Sequence, residues 1–484
     1  MRLLDILLAA NVLALFLGNM GRFLTGVFIF PFAHLGVSVL TLYVCLNILF
    51  GRHAFLFTPP LGAGSRALRK LEREKRGLQG LTLSVLLFIG VVFLVGYLNN
   101  VAALLSVIYA VTLAEPFVLL VCAGLVKHYA RRRVYAGEVF RVRSLISHRV
   151  FVYLMVGGYA LGIIQALLFG GFYDYVKGFF VGAGAGQHVY GGIMAALVIV
   201  LIMRFWQAKA FLTQRALLRL AAIGAAVFMV ALTDTKQLLA IALVLVALYI
   251  LGELFSKGGG AVQKLGGGLA LLTIGAGGWL YLGYFLTSQW AKIQLGVAWK
   301  VNTLSDVWRF GRGDALSFLS GFGPGQTVSK LSMMVSDYEG LFRSAGLDIM
   351  SSNITNNLWD LNQGYWVSNS VTGSSLFSQF FSWAGVVGDT GLLGLLAYLL
   401  MIAVSVYATR NSATAGLLWA YFILIGFAFM WLEESPLPVT VALLAAYASL
   451  KADPDLTSED VANRLERGDA RQSAHHSTKV IYYT

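Results

Sequence analysis

Runs of roughly twenty mostly apolar residues, separated by short polar or basic stretches, recur along this chain, and that is the length a helix needs to cross the hydrocarbon of a bilayer. Twelve such runs lie near residues 3–18, 23–50, 81–97, 101–126, 150–170, 189–205, 218–233, 237–255, 266–284, 391–408, 415–432 and 436–450. They predict an all-α polytopic membrane protein of about twelve transmembrane helices. Between the ninth and tenth runs the pattern changes. Residues 285–388 mix polar side chains with Trp290, Trp299, Trp308, Trp359, Trp366 and Trp383. That is too aromatic for a disordered linker, so a large, partly helical loop folded against the membrane is expected. The expected organisation is a helical domain over 1–450, the loop 285–388 inserted between helices 9 and 10, and a solvated, disordered tail over 451–484. No repeat relates the two halves.

Composition narrows the class. A chain of 484 residues that is 58% hydrophobic and 12% charged, with mean hydropathy +0.74, is not a soluble globular enzyme. Its two cysteines, Cys45 and Cys122, sit inside apolar runs and can build neither a disulfide framework nor a cysteine zinc site. They read as packing.

The net charge of +13 would point to nucleic acid in a soluble protein, but in a membrane chain the location of the positive charge decides. With the N-terminus inside, the loops 51–80, 127–149, 206–217, 256–264 and 409–414 and the tail share one side. Together with Arg2 and the bordering helix ends they hold 27 of the 36 Lys and Arg, whereas the segment from 285 to 388 holds six. Both termini are therefore expected in the cytoplasm, with the large loop outside. Arg131, Arg132 and Arg133 read as a topology anchor beside anionic headgroups, and no nucleic-acid partner is expected. The first run carries Asp5 and Asn11 and no convincing cleavage site, so it reads as a retained helix.

The external loop concentrates the chemistry in Asp306-Val-Trp-Arg309-Phe-Gly-Arg312-Gly-Asp314, followed by Gly321-Phe-Gly323-Pro324-Gly325. Glycines let backbone N–H groups point at an anion, and arginine forks match phosphate oxygens in pairs, a combination suited to a diphosphate. Asp306 and Arg309 could equally form an i,i+3 surface pair, and the glycines a plain turn. Lys236, at the junction of the seventh and eighth runs, and Lys177, in the 171–188 loop, add cations on the same side. For Lys236 the alternatives are pairing with Asp234 or reaching to headgroups. His188 is the one histidine in a predicted external loop. Glu115, just before Pro116 in mid-span, either faces a hydrated cavity or is a neutral, hydrogen-bonded structural carboxyl.

From about residue 150 to 450 the chain resembles the bacterial O-antigen polymerase and O-antigen ligase superfamily. The resemblance rests on the expected topology, twelve spans with both ends inside, a large external loop between the ninth and tenth and a cationic turn between the seventh and eighth, and on the order of four short motifs along it. Arg312 through Gly323 fits the arginine, ten residues, glycine spacing of the polymerases' large loop. Trp308-Arg309 ahead of Gly321-Phe-Gly-Pro-Gly325 is similar to the superfamily's loop motif. Gly388-Asp389-Thr390-Gly391-Leu-Leu-Gly394-Leu-Leu resembles the acidic, glycine- and leucine-rich entry to the next span. Thr235-Lys236 stands where the family commonly has Ser-Arg. Two features depart. The histidine that ligases carry nine residues before the acidic position is Phe380 here, and the loop 285–390 holds no histidine at all. The second arginine-to-glycine spacing, expected in the 171–188 loop of some polymerases, is missing, with Lys177 as its stand-in.

The resemblance implies a GT-C-like glycosyltransferase of the inner membrane whose active site faces the periplasm. It would join undecaprenyl-diphosphate-linked oligosaccharide units by inverting attack of an acceptor hydroxyl, with no metal or other cofactor. Donor and acceptor would approach through the membrane lipids, and a chain-length regulator and a repeat-unit flippase would be partners. Arg312, Arg309 and Lys236, with Lys177 and Gly323, are then the candidates for holding the departing diphosphate. Asp314 or Asp306 is the candidate acid-base carboxylate, with Glu115, His188 and Asp360 in reserve. An O-antigen ligase that transfers glycan to a lipid core or to protein is the alternative. From other classes, a lipid-linked glycan transporter and a peptidoglycan polymerase compete.

Overall fold

The computed structural model describes residues 1–25, 33–51, 65–135, 140, 142–169, 175–181, 186–208, 213–233, 235–255, 290–308, 315–327, 329–332, 381–453 and 456. Among them every regular element is helical: α1 (Arg2–Thr25), α2 (Ala33–Phe50), α3 (Ser65–Leu98), α4 (Ala103–Tyr135), α5 (Ile146–Phe169), α6 (Gly186–Gln207), α7 (Gln214–Leu232) and α8 (Lys236–Phe255). Next come α9 (290–308) and α10 (Ala315–Ser320) within the large loop, then α11 (Ser382–Thr409), α12 (Ala413–Ala428) and α13 (Pro436–Lys451). Eight of these helices are long and apolar enough to cross a membrane, and α12 and α13 are apolar but only 16 residues long. The chain is thus a helical, multi-pass membrane type, with eight such spans described where the sequence pattern suggests twelve.

The differences have local causes. The run 415–432 stops early, because α12 ends at Ala428 and the chain turns through a 3-10 segment, Trp431–Glu433, that carries charge just ahead of Pro436. The run 391–408 starts early, since α11 already begins at Ser382 and absorbs Asp389 by satisfying it internally. Run 266–284 lies outside the described residues. Of the expected tail 451–484 only residues 451–453 and 456 are described, and of these Asp453 and Leu456 are buried.

α4 is the axis of the bundle and packs against α1, α2, α3 and α13, while α6 organises α7, α8, α12 and α13 around it. In lipid no hydrophobic force drives helices together, so close packing and internal polar pairs must hold them. Polar residues inside the spans supply those pairs. The Asp5 carboxylate accepts the amides of Ile146 and Ser147 at 2.7 and 3.0 Å and so caps the start of α5. Asn11 of α1 donates to Thr41 and accepts from Ser38 of α2, at 2.8 and 2.7 Å. Large apolar side chains face outward instead, among them Tyr97, Leu167, Leu168 and Phe255, each more than 70% exposed. A rim of that kind is costly in water and expected in contact with lipid. The cysteines are buried and free, in keeping with a packing role.

α3 connects the two ends of the bundle. Gly77 belongs to its basic end, and Gly96, roughly 28 Å further along at helical rise, lies against Pro324 of the glycine-rich turn. The turn and the basic cluster therefore stand about one bilayer thickness apart.

Candidate functional site

The glycine-rich turn 321–325 docks onto the start of α11, and a break in that helix makes this possible. Gly391 has φ 63° and ψ −162°, which interrupts the helical ladder and releases the carbonyls of the preceding turn. Two of these accept amides from the glycine-rich turn: Phe322 donates to Gly388 O and Gly323 to Asp389 O, each at 2.9 Å. A side chain on Gly391 would overlap the backbone of Leu319 and Gly321, so only glycine fits both the dihedral and the approach. The Asp389 side chain, fully buried, completes the joint. Its carboxylate accepts the amides of Gly325, Gln326 and Thr327 at 2.8, 3.2 and 2.8 Å and the Thr327 hydroxyl at 2.5 Å. The turn amides do point at an anion, and that anion is Asp389. Gly323, expected to contact diphosphate, has its own amide engaged and lies against Val101, so it shapes the turn rather than offering an N–H.

Beside this joint opens an apolar groove of about 650 Å³, bounded by α9, α10, the turn, α11 and α12. Trp308, Phe322 and Phe381 line its upper part, and Leu395, Leu399 and Phe427 its lower part. Among the described lining residues, only Ser305, Ser317 and the indole N–H groups of Trp308 and Trp383 are polar side-chain groups, and that of Trp383 is spent on the Ile423 carbonyl. Trp308 stands edge-on to Phe318 with ring centroids 5.0 Å apart, which holds α9 against α10. Leu399 lies eight residues beyond the Gly391 kink, about 12 Å deeper along α11, and both Leu399 and Phe427 are exposed. The groove therefore runs from the turn toward the middle of the bundle and is open at its side. Asp306, half-buried on α9, sits between the groove residues Ser305 and Val307.

Charged groups gather on the other side of the joint. The Lys330 amide donates to Glu433 Oε2 at 2.6 Å, and the Lys330 ammonium pairs with Glu434 at 2.9 Å. Burial, then the neighbouring Asp389 carboxyl, pushes Glu433 well above the usual carboxylate range. Trp431, two residues before it, packs against the His188 ring at the start of α6, with centroids 6.3 Å apart. Three residues further on, Gly191 leaves room for the hydroxyls of Thr233 and Thr235, which are hydrogen-bonded to each other at 2.8 Å in the α7–α8 turn just ahead of Lys236. Lys300 of α9 donates to the Ala428 carbonyl at the end of α12 at 2.8 Å, its ammonium 5.5 Å from the Phe381 ring, and burial lowers its pKa to about 7.

One end of the bundle thus brings together Asp306, Gly323, His188 and the backbone start of Lys236. Lys177 approaches the N-terminus of α6 through its aliphatic stem near Gly186, its amide held by Gln165 at 2.8 Å. Arg309, Arg312, Asp314 and Asp360 lie outside the described residues. Glu115 is elsewhere: buried between α2 and α4, it accepts from Ser38 and pairs with His34, both at 2.8 Å, and lines neither cavity described here. Lys300, Lys330, Glu433 and Glu434 are additions that sequence reasoning missed. Two consecutive carboxylates just ahead of Pro436, between two apolar runs, were the available signal. Among the described residues, no three His, Cys, Asp or Glu side chains gather as a metal cluster. No family model, curated protein or solved structure matches the chain.

Proposed function

We propose that the chain is a membrane glycosyltransferase that joins oligosaccharide units carried on a lipid diphosphate, an O-antigen or exopolysaccharide polymerase working at the outer face of the inner membrane. The observation that carries this reading is the apolar groove that descends from the glycine-rich turn into the bundle and opens sideways. A polyprenyl chain is a long, flexible hydrocarbon that reaches the protein only through the bilayer, and a laterally open slot lined by Leu, Phe and Trp suits it. Its diphosphate would then lie level with the turn, where the loop places Arg309 and Arg312 in the sequence. Since the turn amides are bonded to Asp389 and α11, side-chain cations must supply the charge that stabilises the departing diphosphate. Asp306, beside the groove, or Asp314 would take the acceptor hydroxyl proton.

The test is direct. Purified protein mixed with undecaprenyl-diphosphate-linked oligosaccharide should lengthen the glycan and release undecaprenyl diphosphate. Transfer to a lipid core instead of a second repeat unit would mark a ligase. The buried His34–Glu115 pair favours a second reading, a proton-coupled transporter of lipid-linked glycan. It predicts movement of the intact substrate across a vesicle membrane with no new glycosidic bond.

A further inference from the structure

At the opposite end of the bundle, α3, α4, α11 and α13 enclose a second cavity of about 560 Å³. Six cations belong to its lining: Arg69, Lys70, Arg73, Lys127, Arg131 and Arg410. Among the described residues only two carboxylates, Glu74 and Asp453, share it. Arg131 is 1% exposed and bridges both of them, while Asp453 also lies 3.4 Å from Lys127 and 3.6 Å from Lys70. The acids are therefore consumed by the inner cations, and the described lining keeps a surplus of four positive charges.

Cations that serve only as topology anchors can spread over the surface, where water and salt screen them. These converge on a concavity instead, with Arg131 and Asp453 both withdrawn from water. Like charges held together in a partly dehydrated cleft repel each other, and a bound anion removes that cost. The space is built for one. Gly77 belongs to the wall, and a side-chain carbon placed on it would meet no atom within 4 Å, so the volume beside it is open. Arginine forks with lysine points are the donor set that suits phosphate oxygens.

We propose that this cleft binds a phosphate-bearing anion, either the headgroup of an anionic phospholipid or a soluble phosphate, at the face opposite the glycine-rich turn. Bound there, the anion ties α3 and α4 to α11 and to the Asp453 segment, and so stabilises the fold.

The experiment uses the full chain in phosphatidylcholine nanodiscs, with Arg312→Ala introduced so that the outer face does not contribute. One arm adds inorganic pyrophosphate at constant ionic strength; the other replaces part of the phosphatidylcholine by phosphatidylglycerol. Melting temperature is the readout. A rise in the pyrophosphate arm assigns a soluble phosphate, and a rise confined to the phosphatidylglycerol arm assigns a lipid headgroup. In either case Arg69→Gln with Arg73→Gln should weaken the response by about tenfold or more in probe concentration, the loss of about 1.4 kcal/mol. Gly77→Trp should do the same by filling the space without removing charge. Because Arg69 and Arg73 are exposed, their double variant folds even if Gly77→Trp does not. No rise with either probe, or an undiminished rise in the double variant, overturns the proposal.

Discussion

Replacing Asp389 by Ala tests whether the glycine-rich turn is held by the chain itself. In the native joint this carboxylate receives three backbone amides and one hydroxyl at 2.5–3.2 Å, all in a fully buried setting. Alanine leaves four donors without an acceptor. A buried donor stripped of its partner costs about 1–3 kcal/mol, and water entering the space left by the carboxylate relieves part of this, so a total of about 3–6 kcal/mol is expected. That is a large share of the ~5–15 kcal/mol by which a typical domain is stable. Asparagine retains one acceptor oxygen but turns an amide nitrogen toward N–H groups, which should cost about 1–3 kcal/mol. The assay pairs thermal melting in detergent with thiol labelling of Gln326→Cys, a position 1% exposed in the native protein, in a background lacking Cys45 and Cys122. Expected is a lowered melting temperature and rapid labelling for Asp389→Ala, with Asp389→Asn between it and the native chain. Native melting together with a protected thiol at position 326 in Asp389→Ala would refute the reasoning.

Gly391→Ala should release the same turn from the other side, since the new carbon overlaps Leu319 and Gly321 and must adopt positive φ; labelling at position 326 reports it, and protection equal to native would contradict the packing. Lys300 is lowered to about 7 from an ordinary 10.5, so between those values the unfolded chain binds the extra proton and stability rises with pH. Lys300→Met should flatten that slope in melting temperature against pH, and an unchanged slope would acquit the residue. Arg312→Ala should abolish polymer while the protein stays inserted and abundant, and Arg312→Lys should restore only part of it because the fork is lost; gel analysis of chain length decides, and native lengths in Arg312→Ala would remove the assignment. Leu395→Trp should narrow the groove and raise the lipid-linked substrate concentration needed for half-maximal elongation several-fold, with no effect on melting.

Apolar run length made the membrane class legible, because the cost of exposing backbone in lipid permits few alternatives to a helix. Run boundaries were less legible, for a specific reason. A charge inside or beside an apolar run looks like an edge, yet Asp5 caps α5, Asp389 holds the turn, and Arg131 is neutralised by Glu74 of α3 and by Asp453 just past α13. Each becomes acceptable only through a partner that hydropathy cannot supply. The candidate site shows the same division. Glycine spacing signalled amides converging on an anion, and they do converge, but spacing carries no information about which anion. Asp389 lies 64 residues beyond Gly325, and only the fold unites them. This changes the chemistry that is open to this end of the bundle. If Gly325, Gln326 and Thr327 spend their amides on Asp389, and Phe322 and Gly323 theirs on the carbonyls of α11, the turn has no N–H left for a diphosphate. On the proposed function, binding it would then fall to cationic side chains, for which the sequence offers Arg309, Arg312 and Lys236. The turn serves instead to fix where α10 stands against α11, and so where the groove begins.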